Sequence, residues 1–146
     1  MNRTIVAGAI ALALITAISA VSQQSKSGGS SSIAKSPAVI AHGKYLVENV
    51  GTCGDCHSPH DQTGQEVKGQ HLHGAPVMFK PTVPVPDWKI VAPPIAGLKQ
   101  YSDQEGVVFF TTGKRPDGSY AGPPMPPFRF NKADAAAVVA YLKTLK

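Results

Sequence analysis

A small all-α fold is what this sequence predicts: about three main helices, long Pro- and Gly-rich loops, and an N-terminal hydrophobic helix in front. Three observations carry the prediction. Helix caps followed by apolar residues at helical spacing occur three times, near Ser36, Ser102 and Asn131. The stretches 58–100 and 114–130 are rich in Pro and Gly and hold few strand-like runs. Residues 5–21 are apolar or small and carry no charge.

The first main helix is expected over Pro37–Val50. Ser36 can cap it, and Pro37 suits the first helical position. Val39, Gly43, Leu46, Val47 and Val50 fall on one stripe. The second begins at Ser102-Asp103-Gln104-Glu105, a capping box, continues through Val107, Val108, Phe109 and Phe110, and stops at Gly113. The third has Asn131 as cap and Asp134 in its first turn, and runs to about residue 145 with Val138, Tyr141, Leu142 and Leu145 as its apolar positions.

The N-terminal run Ile5–Val21 is longer than the usual signal-peptide core and borders on the length of a membrane span. Ala17-Ile18-Ser19 and Ala20-Val21-Ser22 both offer small residues at cleavage spacing, so residues 1–21 read as a signal peptide or an uncleaved membrane anchor. Arg3 precedes the run and favours export of the chain beyond Val21, to the periplasmic side of a bacterial inner membrane. Residues 22–36 are rich in Ser, Gly, Gln and Lys and read as a flexible linker. The folded domain is then 37–146.

The formal net charge is +5, but Arg3, Lys26 and Lys35 precede the domain. From Pro37 on, 11 Lys and Arg face 9 Asp and Glu. The basic residues are scattered without aromatic interleaving, which argues against nucleic acid as a partner. No paired carboxylates, nucleophile triad or phosphate loop is evident, so no catalytic residue is assigned.

The two cysteines lie in Cys53-Gly54-Asp55-Cys56-His57. C-x-x-C-H is the attachment signature of c-type haem. Each thiol adds across one porphyrin vinyl group to give a thioether. The next residue, His57, then offers its imidazole to the iron. A thioredoxin-like pair would need a βαβ context, and structural zinc would need a second pair of soft ligands, for which His60, His71 and His73 are the available donors. The motif, its flanks and the export signal favour one covalent haem c.

A c-type electron carrier usually closes the sixth position with Met or His. Met125 sits in Gly122-Pro123-Pro124-Met125-Pro126-Pro127, where prolines stiffen the loop and exclude a helix. It is the favoured second axial ligand, and Met78 is expected to pack near the haem edge. His60, His71 and His73 are weaker rivals, and His42 is expected on an exposed helix face. Trp88, Arg115 and Arg129 are candidate propionate contacts, with an ordinary rim role the more economical reading.

With these residues in view, residues 37–146 resemble the class I monohaem c-type cytochromes. Gly43 with Tyr45-Leu46-Val47, the C-x-x-C-H motif, Met125 and Val138-Val139-Ala140-Tyr141-Leu142-Lys143 occupy the family's places. The resemblance implies that the first and last helices cross, with Gly43 close to Tyr141. His42-Gly43-Lys44-Tyr45-Leu46, Cys56-His57-Ser58-Pro59 and Leu72-His73-Gly74 are similar to cytochrome subunits that accept electrons from periplasmic dehydrogenases. Pro93-Pro94 stands where the family has a Pro whose carbonyl accepts from the proximal His, and Pro94 is the expected acceptor.

The function this implies is electron transfer rather than enzymatic catalysis. Redox partners would be a dehydrogenase, a quinol-oxidising complex or a terminal oxidase, with residues 5–21 holding the protein to the membrane if they are not removed. The alternative is a haem enzyme or ligand sensor with an open or displaceable sixth ligand.

Overall fold

The computed structural model describes residue 33 and residues 35–146. The hydrophobic helix expected over 5–21 and most of the 22–36 linker lie outside the described residues. Among the described residues, no helix is long and apolar enough to cross a membrane.

Helix α1 spans Pro37–Tyr45, and the Ser36 hydroxyl accepts from Val39 N at 3.3 Å as its cap. The helix continues as a π-helical turn, Leu46–Val50. That widened turn shifts the side-chain register by one residue. Gly43, Leu46 and Val47 are buried as the stripe predicts, but Val50 turns outward and is 52% exposed. A four-residue helix, α2, comes next at Gly54–His57.

The expected loop region contains a little regular structure. Strands β1 (Ala75–Pro76) and β2 (Val91–Ala92) pair antiparallel, with Ala75 opposite Ala92 and Pro76 opposite Val91. A short 3-10 turn, Ala96–Leu98, leads to helix α3 at Asp103–Thr112. Both halves of the Ser102–Glu105 capping box form, and Gly113 ends α3 in the left-handed region. Helix α4, Lys132–Leu142, is capped by Asn131, whose side chain accepts from Asp134 N at 2.9 Å.

The core gathers on α4. Ala135, Ala137, Val138, Val139, Ala140, Tyr141 and Leu142 are all buried, so α4 is apolar on nearly every side. Helix α1 crosses one side of it and α3 lies along another. The α1–α4 crossing is close because Gly43 lacks a side chain. A Cβ there would stand 1.9 Å from the Ala137 carbonyl oxygen and 2.9 Å from Tyr141 Cβ. Polar pairs finish both crossings. His42 Nε2 meets Asp134 Oδ1 at 2.7 Å, and Lys143 Nζ reaches Asp103 at 3.2 Å and the Tyr101 carbonyl at 2.7 Å.

Candidate cofactor site

The α2 turn presents the motif. Its first turn is fixed by Cys53 N donating to Val47 O at 3.0 Å and His57 N donating to Cys53 O at 2.9 Å. Cys53 and Cys56 are free thiols, both half-buried, and His57 is buried. All three line one cavity of about 380 Å³, which Met125 also lines. That volume lies within the range of about 300–1,000 Å³ typical of ligand and cofactor pockets. Met125 packs half-buried against the core, whereas Met78 is 75% exposed and does not line the cavity.

The cavity wall is mostly apolar. Ile95, Leu98, Phe109 and Phe110 form its floor, with Tyr101 and Phe128 beside them. Tyr101 and Phe109 pack at 5.4 Å between centroids, and Phe109 meets Phe110 edge-on at 5.3 Å. Asp55, Lys89, Gln100 and Arg115 supply polar groups, and exposed Phe79 and Val91 stand on the rim. Trp88 is not a lining residue; its indole Nε1 is buried without a hydrogen-bond partner. Arg129 is exposed.

His57 Nδ1 lies 2.7 Å from the Pro93 carbonyl oxygen. A carbonyl can only accept, so Nδ1 carries the proton and Nε2 keeps a free lone pair. The acceptor is Pro93, one residue before the expected Pro94. The β1–β2 pairing sets this register, because Gly74 N also donates to His57 O at 2.6 Å, next to the Ala75–Ala92 pair. Sequence spacing could not fix it across the long 58–92 segment.

Burial depresses the His57 basicity, and the bond to Pro93 opposes that only in part. The imidazole is therefore neutral near pH 7, the form that ligates a metal. Burial pushes the Cys53 thiol up to about 11. Cys56 is raised by burial and then by the neighbouring Asp55 carboxylate. Two protonated thiols one turn apart, a neutral imidazole with one free nitrogen, a thioether and aromatic walls are a donor set that fits a covalently held haem.

The remaining histidines lie elsewhere. His42 pairs with Asp134, His73 Nε2 lies 2.7 Å from the Lys146 carbonyl oxygen, and His71 contacts Glu66 at 3.0 Å. None lines the cavity, nor does His60. Among the described residues, no group of three His, Cys, Asp or Glu side chains gathers to hold a metal ion. Sequence reasoning missed Pro93, Lys89 and Tyr101 at the cavity. For Tyr101, the signal was its place just before the α3 cap.

Comparison with known proteins points the same way. The cytochrome c family model matches residues 40–146. The fructose dehydrogenase cytochrome subunit of Gluconobacter japonicus is 28% identical over 111 residues, 70% of this chain and 21% of the relative. The cytochrome c subunit of a quinone-dependent alcohol dehydrogenase from Gluconacetobacter polyoxogenes is 35% identical over 80 residues, 51% of this chain and 16% of the relative. A diheme cytochrome c-type protein of Cereibacter sphaeroides is 32% identical over 107 residues, 69% of this chain and 33% of the relative. The chain thus spans between a sixth and a third of the length of these relatives. A family match over most of the chain, on a helical domain whose C-x-x-C-H turn lines an apolar cavity, means that this chain belongs to the cytochrome c family.

Proposed function

We propose that the chain is an electron-transfer protein holding one haem c, with Cys53 and Cys56 as its attachment points and His57 and Met125 as axial ligands. The observation that supports this reading most is that these four residues, from two segments about seventy positions apart, line a single apolar cavity. When bound, the group supplies a one-electron ferric/ferrous couple.

The chain's own residues set the conditions for that couple. Pro93 holds the His57 ring with Nε2 free. Met125 offers an uncharged thioether, which favours the reduced state. The apolar walls formed by Ile95, Leu98, Phe109 and Phe110 would shield the bound group from water, so that little solvent would reorganise during transfer. Lys89 and Arg115 outnumber Asp55 among the charged residues lining the cavity, an imbalance that would draw in an acidic partner surface.

The relatives' names suggest the partner class. A dehydrogenase or a respiratory complex would exchange single electrons with this domain. Residues 1–21, as signal or anchor, would export it to the periplasmic side of the membrane, and residues 22–36 would serve as its leash.

A haem stain on a denaturing gel tests the reading, since only covalent haem survives there. The wild-type chain is expected to stain, and Cys53→Ala with Cys56→Ala to lose the stain. A wild-type chain that matures with its export machinery and does not stain would sink the proposal.

A further inference from the structure

A cluster of charged side chains sits behind the attachment turn, away from the cavity. His71 lies between two carboxylates: Nδ1 is 3.0 Å from both Glu66 oxygens, and Nε2, buried without a hydrogen-bond partner, is 3.6 Å from Glu48 Oε1. Glu48 belongs to the π-helical turn and takes a hydrogen bond from the Tyr141 hydroxyl of α4. Lys44 reaches Glu48 at 3.8 Å, and His60 bridges to Glu66 through the backbone.

The cluster touches the motif directly. A Cβ on Gly54 would lie 3.4 Å from Glu66 Oε2, 3.5 Å from Ser58 Oγ and 3.9 Å from His71 Cε1. Any larger residue at Gly54 would enter the cluster. Ser58, fully buried and next to His57, accepts from Leu72 N at 2.8 Å and turns its hydroxyl toward Glu66. Val67 N donates to Pro59 O at 2.9 Å, and Gly74 N to His57 O. One segment, 66–74, therefore grips His57, Ser58 and Pro59 in turn.

Burial pushes the Glu66 carboxyl up, but hydrogen bonds from His71 and Ser58 and the nearby imidazoles outweigh it and hold it below the usual range. Glu66 is thus ionised near neutral pH, a fixed negative charge behind the turn.

We infer that Glu66 and His71 are positioning residues, a hydrogen-bonded latch that holds the α2 turn and His57 against α4, and that the Glu66 charge tunes the ferric/ferrous equilibrium of the haem centre. The inference rests on the proposed haem attachment and adds a role that the attachment does not require. A negative charge behind the ligand favours ferric iron, so removing it favours ferrous.

The test uses the mature, haem-loaded chain. Glu66→Gln keeps an acceptor for His71 and removes the charge. It is expected to move the ferric/ferrous equilibrium at least ~3-fold toward ferrous, about 28 mV at roughly 59 mV per tenfold, with unchanged ferric paramagnetic resonance. Glu48→Gln, which removes the carboxylate on the other side of His71 and leaves Glu66 in place, should move it in the same direction. Glu66→Ala and His71→Ala, which release the latch, should also change the ferric resonance that reports ligand orientation. Asp61→Asn, in the same loop but outside the cluster, is the control and should change neither. Staining variants whose equilibrium and resonance all match wild type would overturn this proposal alone. A wild-type chain without covalent haem would overturn the parent reading, and this one with it.

Discussion

At the scale of single residues, the site divides into what is contiguous and what is brought together. Cys53, Cys56 and His57 are adjacent in sequence, so their chemistry could be read directly. Met125 stood out as a candidate because prolines on both sides mark a stiff, non-helical loop, and Met125 lines the same cavity as the motif. The Pro93 carbonyl and the Glu48–His71–Glu66 cluster were not legible. Each depends on pairings across many residues, and nothing local distinguishes Pro93 from Pro94 or marks His71 as a contact of Glu48. The Met125 role carries a direct prediction. Met125→Ala should leave the haem stain intact, because the proposed thioethers are those of Cys53 and Cys56. The ferrous protein should then bind carbon monoxide readily, where wild type does not. Spectra of Met125→Ala identical to wild type, with and without carbon monoxide, would remove Met125 from the iron.

At the scale of elements, caps and stripes gave the three main helices, because those signals are local. The π-helical turn escaped, since its i→i+5 bonding leaves no mark in the periodicity and shows only when Val50 faces solvent. The β1–β2 pair escaped because a two-residue strand has no period to read. The α1–α4 crossing rests on Gly43, whose added Cβ would meet backbone, which cannot swing away. Gly43→Ala should cost about 3 kcal/mol, the upper part of the range for overpacking. In a domain of this size that lowers Tm by about 10 °C or more, measurable by thermal unfolding. Helix α3 gives a pH-dependent counterpart. The Ser102 backbone and hydroxyl contacts hold the Glu105 carboxyl below its ordinary value. A depressed carboxylate contributes stability above its unfolded pKa and loses it as pH falls through the folded one. Glu105→Gln should therefore lower Tm at pH 7, and the gap should close as pH falls below about 4, where wild-type Glu105 is protonated as well.

At the scale of the whole molecule, charge is uneven along the domain and the core is built around the cavity. The segments 77–91 and 113–130 carry Lys80, Lys89, Lys114, Arg115 and Arg129 against Asp87 and Asp117, so the domain's positive excess is concentrated in them. Association with an acidic partner should slow as ionic strength rises, because exposed charges are screened beyond about 10 Å at 0.1 M salt. The core makes the stronger demand. Ile95, Leu98, Phe109 and Phe110 belong at once to the main hydrophobic cluster and to the cavity wall. A group that filled the cavity would therefore be part of the core. With the cavity unfilled, its apolar wall lacks the packing contacts that a filled core would give it. A domain of this length has a total stability of only about 5–15 kcal/mol. Lacking those contacts would leave the haem-free chain near the margin of folding. The Cys53→Ala, Cys56→Ala variant prepared without haem should accordingly lose its cooperative thermal transition and its near-ultraviolet circular dichroism. It should keep part of its helical signal, because α1 and α4 bury their shared face without help from the cavity. A haem-free chain that melts cooperatively within a few degrees of the loaded protein would show that α4 and its neighbours suffice as a core, and that the cavity residues serve the cofactor alone.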